Sequence, residues 1–167
     1  MKRFTKLLIV TAAMTMLLSV PVFATEKTLD AEVNMITQHV KDVETQVDYL
    51  TPKSAGFKDW DTLNAHRRTV MYQVLTWASD EFDNYILYLQ KEEALSQEDV
   101  RIKQQNIVAI GELCKVNPAF NAQLAPAQAD LAVAQQNVIN NQTQIALCKQ
   151  YKAEQIQYIK AKAASYK

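Results

Sequence analysis

Along this chain apolar residues return every three or four positions, the repeat of one face of an α-helix. In the first stretch Leu29, Val33, Ile36, Val40, Val43, Val47 and Leu50 are separated by alternating steps of four and three, a heptad seam. Thr28 stands at the N-cap position, and Asp30 and Glu32 fall in the first turn, where the helix dipole favours negative charge. Thr51-Pro52 ends this helix, and Ser54-Ala55-Gly56 reads as a loop. A second helix is predicted from Asp59 or Asp61 to about Ala94, with Leu63, Val70, Val74, Ala78, Phe82, Tyr85 and Leu89 on one face. Met71, Leu75, Trp77 and Ile86 widen that face, as in a helix buried on more than one side.

Ser96-Gln97-Glu98-Asp99 resembles a capping box and predicts the start of a third helix carrying Val100, Ile107, Ile110 and Cys114. Gly111 inside that helix costs about 1 kcal/mol against Ala, which points to a close helix contact there. Asn117-Pro118 stops the helix and starts a short new one. In the last stretch Leu124, Leu131, Val138, Ile145, Lys152, Ile159 and Tyr166 recur every seven residues. Ala127, Ala134, Asn141, Cys148 and Gln155 fill the intervening seam positions, and such small or polar residues let a partner helix approach closely. The expected fold is therefore all-α: an elongated bundle of three or four long helices with coiled-coil-like heptad seams. The Ala- and Gln-rich heptads from Gln128 to Ala146 resemble the helical hairpins of bacterial export adaptors, a likeness of composition over a short stretch that assigns no family.

Composition supports the helices, because the stretch from residue 25 onward holds just two glycines and three prolines. The first 24 residues are of another kind. Lys2, Arg3 and Lys6 precede an uncharged apolar run, Leu7 to Val20, and Pro21 breaks it ahead of Val22-Phe23-Ala24. This is the layout of a secretory signal peptide cut after Ala24. An uncleaved anchor is the alternative, since the apolar stretch approaches the length of a membrane span. Cleavage predicts a single helical domain over 25–167, secreted or periplasmic in a bacterium. It would carry 15 basic and 18 acidic side chains, a net charge of −3. A mildly acidic exported chain argues against nucleic acid as a partner.

Sites of chemistry are sparse. An exported address permits a disulfide between Cys114 and Cys148. A tight antiparallel hairpin would hold the two thiols about 30 Å apart, however, so the bridge needs residues 117–126 to run back along the bundle. Intermolecular pairing and buried thiols stay open. His39 and His66 lack the helical spacing of a metal site, and no serine sits in a nucleophile elbow. The expectation is no enzyme, no metal and no cofactor. Trp60, Tyr72, Trp77, Phe82 and Tyr85 could line an apolar interhelical pocket, although a packed aromatic core explains their spacing equally. His66-Arg67-Arg68 reads as a solvated helix face. Tyr151, Tyr158 and Tyr166, interleaved with Lys149, Lys152, Lys160 and Lys162, suit weak contact with an anionic envelope surface. The function expected first is an exported, non-enzymatic interaction or structural protein that binds a protein partner or itself through helices. The alternative is a small-molecule or lipid carrier.

Overall fold

The computed structural model describes residues 28–167, and the signal-peptide and anchor readings of residues 1–24 lie outside the described residues. The fold is all-α, with no strand among the described residues: α1 Leu29–Asp48, α2 Pro52–Ala55, α3 Trp60–Val116, a 3-10 turn Pro118–Phe120 and α4 Asn121–Ser165. Among the described residues no helix is long and apolar enough to cross a membrane.

α1 starts as its sequence dictates. The Thr28 hydroxyl accepts from the Ala31 N–H at 3.3 Å, replacing one of the partners that the first turn lacks. Leu29, Ile36, Val40, Val43 and Val47 are buried, while Val33 and Leu50 are half-buried. The next segment differs from expectation. Pro52–Ala55 is a full helical turn rather than loop, closed by a capping box in which Thr51 and Ser54 exchange side-chain and backbone hydrogen bonds. Gly56 follows at φ 75, a left-handed conformation that glycine adopts without strain.

The largest correction concerns α3. It runs unbroken through Ser96-Gln97-Glu98-Asp99 to Val116. A capping box opens a helix only where the preceding chain leaves helical geometry, and no glycine or proline lies between Gly56 and Gly111 to force that. Within the helix Asp99 pairs instead with Lys103, one turn on, at 3.0 Å. α4 also begins earlier than the proline suggests, at Asn121, and carries Pro126 inside it. Asn117 caps the 3-10 turn between α3 and α4, accepting from the Ala119 N–H at 3.0 Å.

The described residues divide into two compact units, 28–79 with Ala153–Lys167, and Asp80–Lys152. In the first, here unit 1, α1 packs with the start of α3 and the end of α4 around Ile36, Val40, Leu63, Met71 and Ile159. In the second, unit 2, α3 and α4 form an antiparallel hairpin with Phe82, Tyr85, Ile86, Leu89, Ile145 and Cys148 buried.

Candidate interaction surface

Unit 1 is held by polar contacts that converge on the C-terminal end of α1. That helix has no basic residue in its last turn and is followed by Tyr49 rather than glycine, so its last carbonyls need donors from elsewhere. Arg67 of α3 supplies them. Its Nε donates to the Val47 carbonyl at 3.1 Å, and Nη2 donates to those of Asp48 at 3.2 Å and Leu50 at 2.7 Å. The guanidinium lies 5.6 Å from the Trp60 ring centre and 5.4 Å from that of Tyr166, so it gains cation–π attraction from both rings. Arg68 donates to the Tyr166 carbonyl, and His66 rests against Phe57 with ring centres 5.0 Å apart. The basic trio is thus not a solvated face; its middle member is buried and its flanks are half-buried.

Charge pairs join the same end of α1 to α4. Lys162 bridges Glu44 at 2.9 Å and Asp48 at 2.6 Å. The Tyr166 hydroxyl donates to Asp48 at 2.7 Å, and Tyr158 donates to Glu44. Burial pushes the Tyr166 phenol up, and its hydrogen bond to Asp48 adds to this, bringing its pKa to about 12. Burial alone would raise the Asp48 carboxyl, but the hydrogen bonds from Lys162 and Tyr166 outweigh it and hold the group below its ordinary range. Lys162 is likewise desolvated, yet its bonds to Asp48 and Glu44 hold the ammonium charged beyond its ordinary range. The lysines and tyrosines expected to face an envelope surface are therefore partly spent inside the protein.

The aromatic residues expected to line a pocket are placed unlike one another. Trp60 is 54% exposed and Tyr72 53%. Trp77 is half-buried and packs on His39, with ring centres 4.1 Å apart. Phe82 and Tyr85 are fully buried in unit 2, where Tyr85 stacks with Tyr88. Among the described residues no three His, Cys, Asp or Glu side chains converge where they could share a metal ion.

Unit 2 has a different character. Three contacts fix the hairpin register: Asp83 with Lys152 at 2.6 Å, Glu93 with Gln142 at 2.8 Å and Ser96 with Asn141 at 3.0 Å. In each, the residue numbers add to about 236. On that register Cys114 lies opposite about residue 122, so roughly 26 residues, or about 39 Å of helix, separate it from the level of Cys148. No bond joins the two cysteines. The hairpin seam is apolar at the Phe82–Leu89 level, but Glu93, Ser96, Asn141 and Gln142 make it polar midway. Beyond that level large apolar side chains face outward: Ile102 52%, Val108 66%, Val116 85%, Val133 60% and Ile139 53% exposed. From residue 104 to 148 the charged side chains are Glu112, Lys115 and Asp130 alone. A shallow groove of about 500 Å³ lies between the helices here, lined by Gln97, Val100, Gln135, Val138 and Ile139.

The periodicity of positions that helices bury together does not reveal this surface. The signal was present as a second set of apolar residues, out of phase with the first, in a stretch almost free of charge. Comparison with protein-family models, with curated proteins and with solved structures returns no match for this chain.

Proposed function

We propose that this protein is an exported, non-enzymatic interaction or structural protein that works through helix–helix association, with the distal part of the unit 2 hairpin as its binding surface. One observation carries this reading: exposed Val108, Val116, Val133 and Ile139 share a segment, residues 104–148, that has three charged side chains in 45 residues. Single exposed apolar residues are ordinary on proteins, but a run of them without interspersed charge marks a contact surface. The heptad seams are read here as coiled-coil-like packing, used by three helical segments in unit 1 and two in unit 2. Export rests on the layout of residues 1–24.

The test is photo-crosslinking in the producing cell, with a photoreactive residue at Val133 or Ile139 and, as control, at exposed Tyr72 of unit 1. Protein adducts formed from the hairpin positions and not from position 72 are the expected result. Absence of adducts at every position, with an apolar small molecule retained by the purified protein, would overturn the reading in favour of a carrier. Mass spectrometry of the secreted or periplasmic fraction checks export, for which the mature chain should begin at Thr25.

A further inference from the structure

Unit 1 is assembled from two pieces of chain, residues 28–79 and Ala153–Lys167, and the whole of unit 2 is synthesised between them. The bonds that join the two pieces span 114 residues, from Tyr158 to Glu44 and from Lys162 to Asp48, or 118, from Tyr166 to Asp48. The bonds that set the register of unit 2 span 45, 49 and 69 residues. Contacts between segments so far apart form late, because the chain between them has to be closed into a loop first.

α1 has little with which to stand by itself. A helix of 20 residues is marginal in water when isolated. This one builds its packed stripe from Val33, Ile36, Val40, Val43 and Val47, whose branching at Cβ lowers helix propensity. Its charges also work against it. Glu44 and Asp48 fall in its last two turns, where the dipole disfavours negative charge, and the last turn has no basic residue. The ion pairs of both carboxylates run to Lys162, at 2.9 Å and 2.6 Å. Arg67 on α3 reaches the carbonyls at this end, but the side chains that bond the carboxylates, Tyr158, Lys162 and Tyr166, all come from residues 153–167. Ile159 and Ala163, both fully buried in unit 1, come from there too. An α1–α3 pair without them would leave two carboxylates unpaired and the apolar stripe open on one side.

We infer that α1 is a late-docking helix, which does not settle on α3 until residues 153–167 arrive and close unit 1. The use of such an order rests on the export reading above. A chain threaded across a membrane has to reach it with its tertiary contacts open. Here the first segment behind the leader stays open until residue 153 and those after it have been made.

Pulse-labelling hydrogen exchange of the mature chain as it refolds from urea, read by mass spectrometry, tests this. Amides of residues 29–48 should gain protection in the same phase as those of 153–165, and no earlier than those around Phe82–Leu89. Protection of α1 while 153–165 still exchanges would overturn the inference. Ile159→Asp gives an equilibrium measurement, since that side chain is fully buried on α4. In this variant α1 amides should exchange at least about a hundredfold faster, with those around Phe82–Leu89 keeping their protection. Native protection of α1 in the variant would also overturn the inference, and if the variant unfolds altogether the refolding phases of the unaltered chain decide. Tyr72→Glu, at an exposed position of α3, should change neither result. The two readings fail separately. Early docking of α1 in a chain whose secreted form begins at Thr25 removes the order and keeps export. Late docking in a chain that retains residues 1–24 keeps the order and removes its link to export.

Discussion

Units 1 and 2 share the two long helices α3 and α4, to which unit 1 adds α1 and α2, and they differ in how their polar residues are used. In unit 1 the polar groups brace the ends of helices, with one arginine serving three carbonyls and one lysine serving two carboxylates. Their partners lie far apart in sequence, so each contact holds separate segments together. In unit 2 Ser96 and Asn141 bond to one another within the packing seam, and Glu93 bonds to exposed Gln142 at its edge, so this level lacks the apolar contacts that would otherwise hold the hairpin. Polar seam residues set register at a cost in stability. Unit 1 is built to hold its own segments; unit 2 buries Phe82, Tyr85 and Leu89 at one level and leaves Val108, Val116, Val133 and Ile139 exposed beyond it. The contrast teaches that burying apolar side chains and presenting them are alternative uses of one heptad-rich helix.

The largest expected effect falls on unit 1. Arg67→Ala removes a buried, charged donor from the Val47, Asp48 and Leu50 carbonyls, of which Val47 keeps a backbone partner in the Leu50 N–H at 3.3 Å. Unsatisfied groups of this kind make such a change cost about 3 kcal/mol. Arg67→Lys should recover only part of this, since an ammonium cannot reproduce the fork. Hydrogen exchange is the suitable measurement because it resolves the units. Amides of α1 should exchange faster in Arg67→Ala, while those around Phe82–Leu89 keep their protection. Equal loss in both units would break the distinction drawn between them.

Most of unit 1 was legible in the sequence. The first heptad seam, the Thr28 cap and the stop near Pro52 depend on neighbours a few residues apart, and local rules capture them. The Arg67 site is not local: nothing near residue 67 shows that its side chain ends under α1. A clue lay in α1 itself, whose last turn has neither a basic residue nor a following glycine to satisfy its carbonyls. In α3 the Ser96 box misled, because a capping pattern and a polar seam residue look alike in sequence. The exposed face of α4 depends on which of two interleaved heptad phases α3 covers, and side-chain size decides that: Leu131, Val138 and Ile145 fill a seam that the alanine-rich phase cannot.

Proton linkage gives a smaller effect, again confined to unit 1. Asp48 has its pKa lowered from 3.8 on folding, so its contribution is present above that value and is lost as pH falls through the lower folded value. Tyr166 moves the other way, from 10.0 to about 12. Its contribution is complete below pH 10 and disappears as pH rises through about 12. Urea melts across this range should show a plateau in α1 protection between about pH 4 and 10, falling on both sides. Asp48→Asn should lower the plateau by about 1 kcal/mol, since the carboxylate is partly exposed and its ion pair is discounted accordingly. It should also reduce the dependence on pH at both ends. An unchanged profile would show that the Lys162–Asp48–Tyr166 contacts contribute nothing measurable.

The smallest effect concerns Gly111 in unit 2. From the sequence, a glycine within a helix pointed to a neighbouring helix pressed against it, which would make Gly111→Ala destabilising. The structure reverses the sign: a Cβ built at Gly111 meets no atom within 4 Å, and the residue's φ is not positive. Alanine would therefore lose less backbone entropy on folding and meet no steric cost. It should stabilise the hairpin by about 0.4–1 kcal/mol. Protection of α3 amides near residue 111 should increase, with α1 unchanged. A loss of stability would mean that something covers this position in solution, and a dependence of that loss on protein concentration would place a second chain there.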